Sequence, residues 1–167
     1  MPHDYVEAAK WYRRAGEQGN PDAQGSLGFM YHEGHGVPQD YAEAARWYRK
    51  AAEQGDAFAQ TNLGAMYHDG LGVQQSYAEA VRWFRKAAAQ GFAAAQFKLG
   101  LMYIMGEGAP QDYVQAHMWV NLAASRATGD DQKNYADTRD LLAEKMTAQQ
   151  IAEAQRLARE WAPANGK

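Results

Sequence analysis

The chain has 167 residues and a mass of 18.6 kDa, with 46% hydrophobic, 12% aromatic and 22% charged residues, a composition that excludes intrinsic disorder and fits one domain or one continuous array. The absence of cysteine excludes disulfides, a thiolate nucleophile and any cysteine-ligated metal or iron–sulfur site. A net charge of -3 gives no bulk attraction to nucleic acid or anionic lipid, and the apolar run at residues 99–105 is far shorter than the roughly 20 residues of a membrane helix.

Tyr5, Tyr41, Tyr77 and Tyr113 recur at intervals of 36, as do Trp11, Trp47, Trp83 and Trp119. Residues 5–40 and 41–76 share 22 identities in 36, and 41–76 shares 22 in 36 with 77–112. A period this short predicts two helices per unit rather than a domain. One helix of each unit is expected to begin at Asp4, Asp40, Ser76 or Asp112, each three residues before Glu7, Glu43, Glu79 or Gln115, the spacing of a capping box. These helices are expected to stop at Gly19, Gly55 and Gly91, where glycine takes a left-handed conformation; the fourth stop is blurred, with Ala127 in the column and Gly129 nearest. A second helix follows each stop, started by Asn20 with Pro21 or by Asp56, and its stripe Ala23, Leu27, Met30, Tyr31 has helical spacing. The GxG segments 34–36, 70–72 and 106–108 read as turns: no strand precedes them, and the third glycine of a nucleotide fingerprint is missing. Gly28, Gly64 and Gly100 fall in mid-helix, at a cost of roughly 0.5–1 kcal/mol each, so a neighbouring helix is expected to cross too closely for a methyl group. Thr147 and Gln150 supply a capping box for a closing helix through Ile151, Ala154 and Leu157 to Trp161.

These strings, such as residues 41–55 followed by Ala59-Gln60 and Leu63-Gly64, resemble the Sel1-like repeats, relatives of the tetratricopeptide repeats, over about residues 4–125. The resemblance implies an all-α, right-handed α-solenoid of stacked antiparallel helix pairs. The array is expected at residues 4–126, with units near 5–40, 41–76 and 77–112 and a partial fourth from 113, and divergent capping helices at 130–161. Residues 1–4 align with 37–40, so the first helix is the second member of a pair, which reads as a fragment of a longer array whose upstream part, with any export signal, is missing. The compartment is therefore left open between cytoplasm and periplasm or outside.

No catalytic constellation stands out. Of Ser26, Ser76 and Ser125, Ser76 is a cap, and neither S-x-x-K nor G-x-S-x-G occurs. A β-lactam or cell-wall hydrolase, known among cysteine-rich relatives, is the alternative reading, weakened by the missing cysteines. His32, Glu33, His35, His68 and Asp69 carry metal-ligand chemistry without the i, i+4 pair of a zinc helix, and stacked units would hold His32 and His68 about 10 Å apart, so neither metal nor cofactor is expected. The basic ladder Lys10, Arg13, Arg14; Arg46, Arg49, Lys50; Arg82, Arg85, Lys86 is expected to be a solvated face neutralised by Glu7, Glu43 and Glu79 at three residues and by Glu17 and Glu53 at four, not a nucleic-acid grip.

By resemblance to tetratricopeptide arrays, the face of the first helix of each pair not used by the repeated core lines a concave groove: Asp22, Phe29, His32 and Glu33; then Phe58, Thr61, His68 and Asp69; then Phe97, Leu101, Ile104 and Met105. The predicted role is non-catalytic protein or peptide binding on this face. The helix at 97–105 is apolar all round, which implies burial on both sides, by residues 130–161 folding back or by a partner. The unpaired first helix also offers a surface for self-association.

Overall fold

The computed structural model describes residues 2–164. Among them there are nine helices and no strand: α1 (Pro2–Glu17), α2 (Pro21–Glu33), α3 (Tyr41–Glu53), α4 (Ala57–Asp69), α5 (Tyr77–Ala89), α6 (Ala93–Met105), α7 (Tyr113–Arg126), α8 (Gly129–Ala143) and α9 (Ala148–Ala164). The all-α expectation holds, and no helix among these residues is long and apolar enough to cross a membrane. The chain forms two compact units, residues 1–83 and 84–167, with the boundary inside α5. Within the first unit α2 packs on α1 and α3, and α3 on α4; within the second, α7 packs on α6, α8 and α9.

The helix starts fall where short polar side chains satisfy free amides. Asp40 accepts from Glu43 N at 3.0 Å, Asp112 from Gln115 N at 3.0 Å, Ser76 from Glu79 N at 3.3 Å, Asn20 from Ala23 N at 2.8 Å and Asp56 from Ala59 N at 2.6 Å. The expected capping boxes at Asp40, Ser76 and Asp112 are one-sided. Their own amides donate instead to the carbonyls of Tyr31, Tyr67 and Tyr103, at 2.9, 2.9 and 3.0 Å, which ties each start to the preceding helix. The carboxylate of Glu43 is left to pair with Arg46. Thr147 and Gln150 do form the reciprocal box, at 2.9 and 3.2 Å. The expectation for Asp4 is corrected: α1 begins at Pro2, so Asp4 lies in its first turn rather than before it.

Two of the mid-helix glycines, Gly28 and Gly100, have the predicted cause. A Cβ on Gly28 would stand 2.7 Å from Tyr48 Cδ1, and one on Gly100 would stand 2.6 Å from Val120 Cγ2. The turns impose a second close approach. Gly36 and Gly72 have φ of +72° and +67°, and a Cβ there would lie 2.2 Å from Tyr5 O and 2.2 Å from the backbone of Tyr41, so each turn presses on the first helix of its own 36-residue unit.

Trp47 and Trp83 are buried in the first unit with Leu27, Tyr48, Leu63 and Met66, as the repeated-core reading requires, and Trp119 is buried in the second. Trp11, at the same repeat position, is 61% exposed. Two polar latches recur beside this core. The buried Gln24, Gln60 and Gln96 each donate Nε2–H to a carbonyl near the end of the preceding helix, Gly16, Ala52 and Ala88, at 2.9, 3.0 and 3.2 Å. Arg13, Arg49 and Arg85 donate to the hydroxyls of Tyr31, Tyr67 and Tyr103, eighteen residues on, the latter two at 2.7 and 2.9 Å.

Candidate functional site

In the first unit the structure brings together part of the predicted face. Phe29 of α2 and Phe58 of α4 are each 40% exposed, with ring centroids 6.4 Å apart. His35, from the turn after α2, lies 5.9 Å edge-on to Phe29 and stacks at 5.0 Å on Tyr5, while Phe58 is backed by the buried Tyr48 at 6.2 Å. These rings border an open cleft of about 450 Å³ lined by Tyr5, Tyr12, Ser26, Phe29, His35 and Phe58, with Ala8 and Met30 in its floor. The surface is apolar, with a few polar atoms at its edge, the usual character of an anchor-binding groove. Burial, with Glu33 adding to it, pushes the pKa of Tyr48 upward, so the ring behind Phe58 stays neutral.

The polar members of the predicted face lie apart from this cleft. His32 Nδ1 meets Glu33 Oε1 at 2.7 Å and its ring abuts Tyr41 at 5.3 Å; His68 Nδ1 meets Asp69 Oδ1 at 2.6 Å and its ring abuts Tyr77 at 5.3 Å. The two repeats thus use the pair in one way, each histidine held between its neighbouring carboxylate and a tyrosine. Thr61 spends its hydroxyl on Ala57 O at 2.7 Å, and Asp22 is exposed in the first turn of α2. Among the described residues no cluster of three or more histidine, aspartate or glutamate side chains has the geometry to hold a metal ion.

In the second unit Phe97 stacks on Tyr135 of α8, with centroids 4.1 Å apart and planes within 20°. Residues of the C-terminal segment therefore cover this end of α6. The expectation that α6 is buried on both sides fails further along it, where Leu101 and Ile104 are half-buried and Met105 is 52% exposed. The reason is that α8 and α9 pack mainly on α7.

The basic ladder is neutralised by a different arrangement from the one expected. Lys10–Glu7, Arg46–Glu43 and Arg82–Glu79 form the predicted pairs, the first and last at 3.4 and 3.1 Å. Arg13 and Arg49, however, turn to Tyr31 and Tyr67 rather than to Glu17 and Glu53, and their guanidinium carbons lie 5.7 and 5.9 Å from those ring centroids.

Sequence reasoning missed Tyr5, Tyr12 and His35 as members of the aromatic cleft. The available signal was positional: Tyr12 occupies the column of Tyr48 and Phe84, which are buried, while Tyr12 itself is 40% exposed.

A family model for the Sel1 repeat matches residues 1–20, 21–56, 57–92 and 93–127. Among solved structures, the chain is similar to a protective antigen present in uropathogenic Escherichia coli strains displaying an SLR fold, with 31% identity and a TM-score of 0.70 over 93% of this chain and 40% of that one. It is also similar to a Sel1 repeat protein from Oxalobacter formigenes, with 36% identity and a TM-score of 0.66 over 75% of this chain and 95% of that one. This chain thus spans less than half the length of the E. coli protein. No curated protein matches it. Four consecutive matches to the repeat model, on helix pairs that pack in the order the repeat demands, place the chain in the Sel1 repeat family.

Proposed function

We propose that the chain is a non-catalytic binding scaffold that takes an apolar segment of another protein in the aromatic cleft of its first unit. The observation that carries this reading is the open cluster of Phe29, Phe58, Tyr5, Tyr12 and His35. Four of these large rings, Tyr5, Tyr12, Phe29 and Phe58, keep 52%, 40%, 40% and 40% of their surface in water, where burial by a partner's leucine or aromatic side chain is favourable at about 25 cal/mol per Å². Rigid helices hold the rings in place, so little ordering cost opposes association. His32–Glu33 and His68–Asp69, outside the cleft at the C-terminal ends of α2 and α4, offer secondary polar contacts to residues flanking the segment.

A displayed-peptide selection on the immobilised full chain tests the proposal, followed by calorimetry of the enriched peptide. The expected result is a consensus with one or two apolar anchors, bound at least about tenfold more weakly by Phe29→Ala with Phe58→Ala, and by a smaller factor when His32, Glu33, His68 and Asp69 are replaced by alanine. Failure to enrich any sequence above the blank surface, or equal affinity of the double phenylalanine variant, would overturn it.

A further inference from the structure

The 36-residue register continues into α8, where the side chains change character. Position 139 is arginine where the earlier units have Tyr31, Tyr67 and Tyr103, and position 121 is asparagine where they have Arg13, Arg49 and Arg85. The eighteen-residue hydrogen bond survives with its polarity reversed: Arg139 Nη1 donates to Asn121 Oδ1 at 3.3 Å. Position 117, alanine or valine in the earlier units at Ala9, Ala45 and Val81, is His117, only 3% exposed. These three substituted positions, with Ser125 and the α9 residues Gln155 and Arg159, border one cleft of about 590 Å³ between α7, α8 and α9.

His117 is the observation that packing alone leaves without a reason. Its Nδ1 is sealed in the interior with no hydrogen-bond partner, a cost that the alanine or valine of the other units avoids. With Nδ1 sealed, the nitrogen left for a ligand is Nε2, which donates to an anion in the Nε2–H tautomer of the neutral ring. Burial, helped by Arg139 and opposed by Asp140, lowers the pKa of His117 and keeps the ring neutral at pH 7. Arg139 is committed to Asp140, through Nε at 2.8 Å and Nη2 at 2.7 Å, whereas Arg159 has no ion-pair partner among the described residues. With two arginines against one aspartate, the charged lining carries one net positive charge and one unengaged guanidinium fork. Leu122, Ala143, Ile151 and Ala158 supply apolar wall.

From this lining we infer that the α7–α8–α9 cleft binds a small monocarboxylate, its planar carboxylate held by Arg159, with hydrogen bonds from the Asn121 amide and His117 and its apolar body against Leu122 and Ile151. The fork can meet a carboxylate in two parallel bonds, and a lining with one net positive charge and an apolar wall matches a singly charged carboxylate with an apolar body better than the larger charge of phosphate. The site lies wholly in the second unit and stands or falls independently of the Phe29–Phe58 cleft.

The test is an NMR titration of the full chain with benzoate and with N-acetylalanine, beside their uncharged amides and inorganic phosphate. Saturable shifts confined to α7, α8 and α9 are expected with at least one carboxylate. Binding should be about tenfold weaker or more for the amides, for phosphate and for the surface variant Arg159→Gln, which leaves the fold untouched. His117→Val should also weaken binding, and the ring signals of His117 should move with the carboxylate in the unaltered protein. The inference is overturned if neither carboxylate saturates below about 50 mM, if amides or phosphate bind as well, or if Arg159→Gln changes nothing.

Discussion

Helices α3 and α7 occupy the same place in the repeat and have kept different parts of it. Both begin at an aspartate cap and both bury a tryptophan, Trp47 and Trp119. In α3 the remaining buried positions are alanines and Tyr48, and Arg49 reaches the hydroxyl of Tyr67. In α7 the equivalent surroundings hold a buried histidine, and the corresponding bond runs from Arg139 to Asn121. The columns that stay constant are those where backbones nearly touch or a ring fills a fixed gap. Substitution is concentrated where a side chain meets a side chain, because an exchange of donor for acceptor keeps the bond while altering the surface around it.

The sharpest break in this division is expected at the turns. Gly72→Ala forces a residue with a Cβ into a left-handed conformation and drives that carbon to 2.2 Å from the backbone of Tyr41, so denaturant unfolding should show a loss of about 3 kcal/mol. Gly129→Ala, at φ +61° with nothing within 4 Å, should lose only about 1 kcal/mol. Equal losses would show that conformation alone, without close approach, fixes the turn glycines.

A smaller effect is expected at the buried glutamines. Gln24 donates to Gly16 O and its own oxygen accepts from Gln54 at 2.7 Å, so Gln24→Leu strands the Gly16 carbonyl, breaks a second bond and should cost about 2 kcal/mol. Gln96 donates to Ala88 O while its Oε1 has no partner, so Gln96→Leu should cost about 1 kcal/mol. The order of the two thermal midpoints checks this, and a reversed order would show that packing volume, not the latch, sets the cost.

The smallest effect depends on pH. His117 titrates below its ordinary value of 6.5 in the fold, so the unfolded chain binds the extra proton first as pH falls. Stability from this group is complete above about pH 6.5 and is lost as pH descends through the lowered folded value. His117→Val should therefore be close to neutral at pH 7.5, within about 1 kcal/mol, and should flatten the acid side of the stability profile. Parallel profiles for the two proteins would contradict the burial-driven shift.

Much of the architecture could be read from the sequence because it repeats. The period, the caps at Asp40 and Asp112, the tryptophan columns and the tight crossing at Gly28 each rest on a local rule acting three or four times. The Arg49–Tyr67 bond was not legible: both residues stand in uniform columns, and two uniform columns give no sign that they meet. The glutamine latches were hidden for the same reason, although Gln24, Gln60 and Gln96 were visible as a column. The register of α8 was obscured differently, since Tyr135 replaces the leucine of Leu27, Leu63 and Leu99 and Arg139 replaces the tyrosine. The fold there depends on which positions are filled, and the identities that would reveal it have changed. The polar half of the predicted binding face was legible as residues and not as an arrangement, because His32 and His68 are drawn to their own neighbouring carboxylates.

The exposure of Trp11 gives the molecule a built-in optical reporter. With Trp47, Trp83 and Trp119 shielded and Trp161 half-buried, a collisional quencher such as acrylamide reaches α1 first, and the long-wavelength edge of the fluorescence is weighted toward Trp11, the most exposed indole. Anything that settles on α1, a second copy of the chain included, would shift that edge toward the blue. Dilution would then separate self-association, which reverses, from capture by a tight partner, which persists.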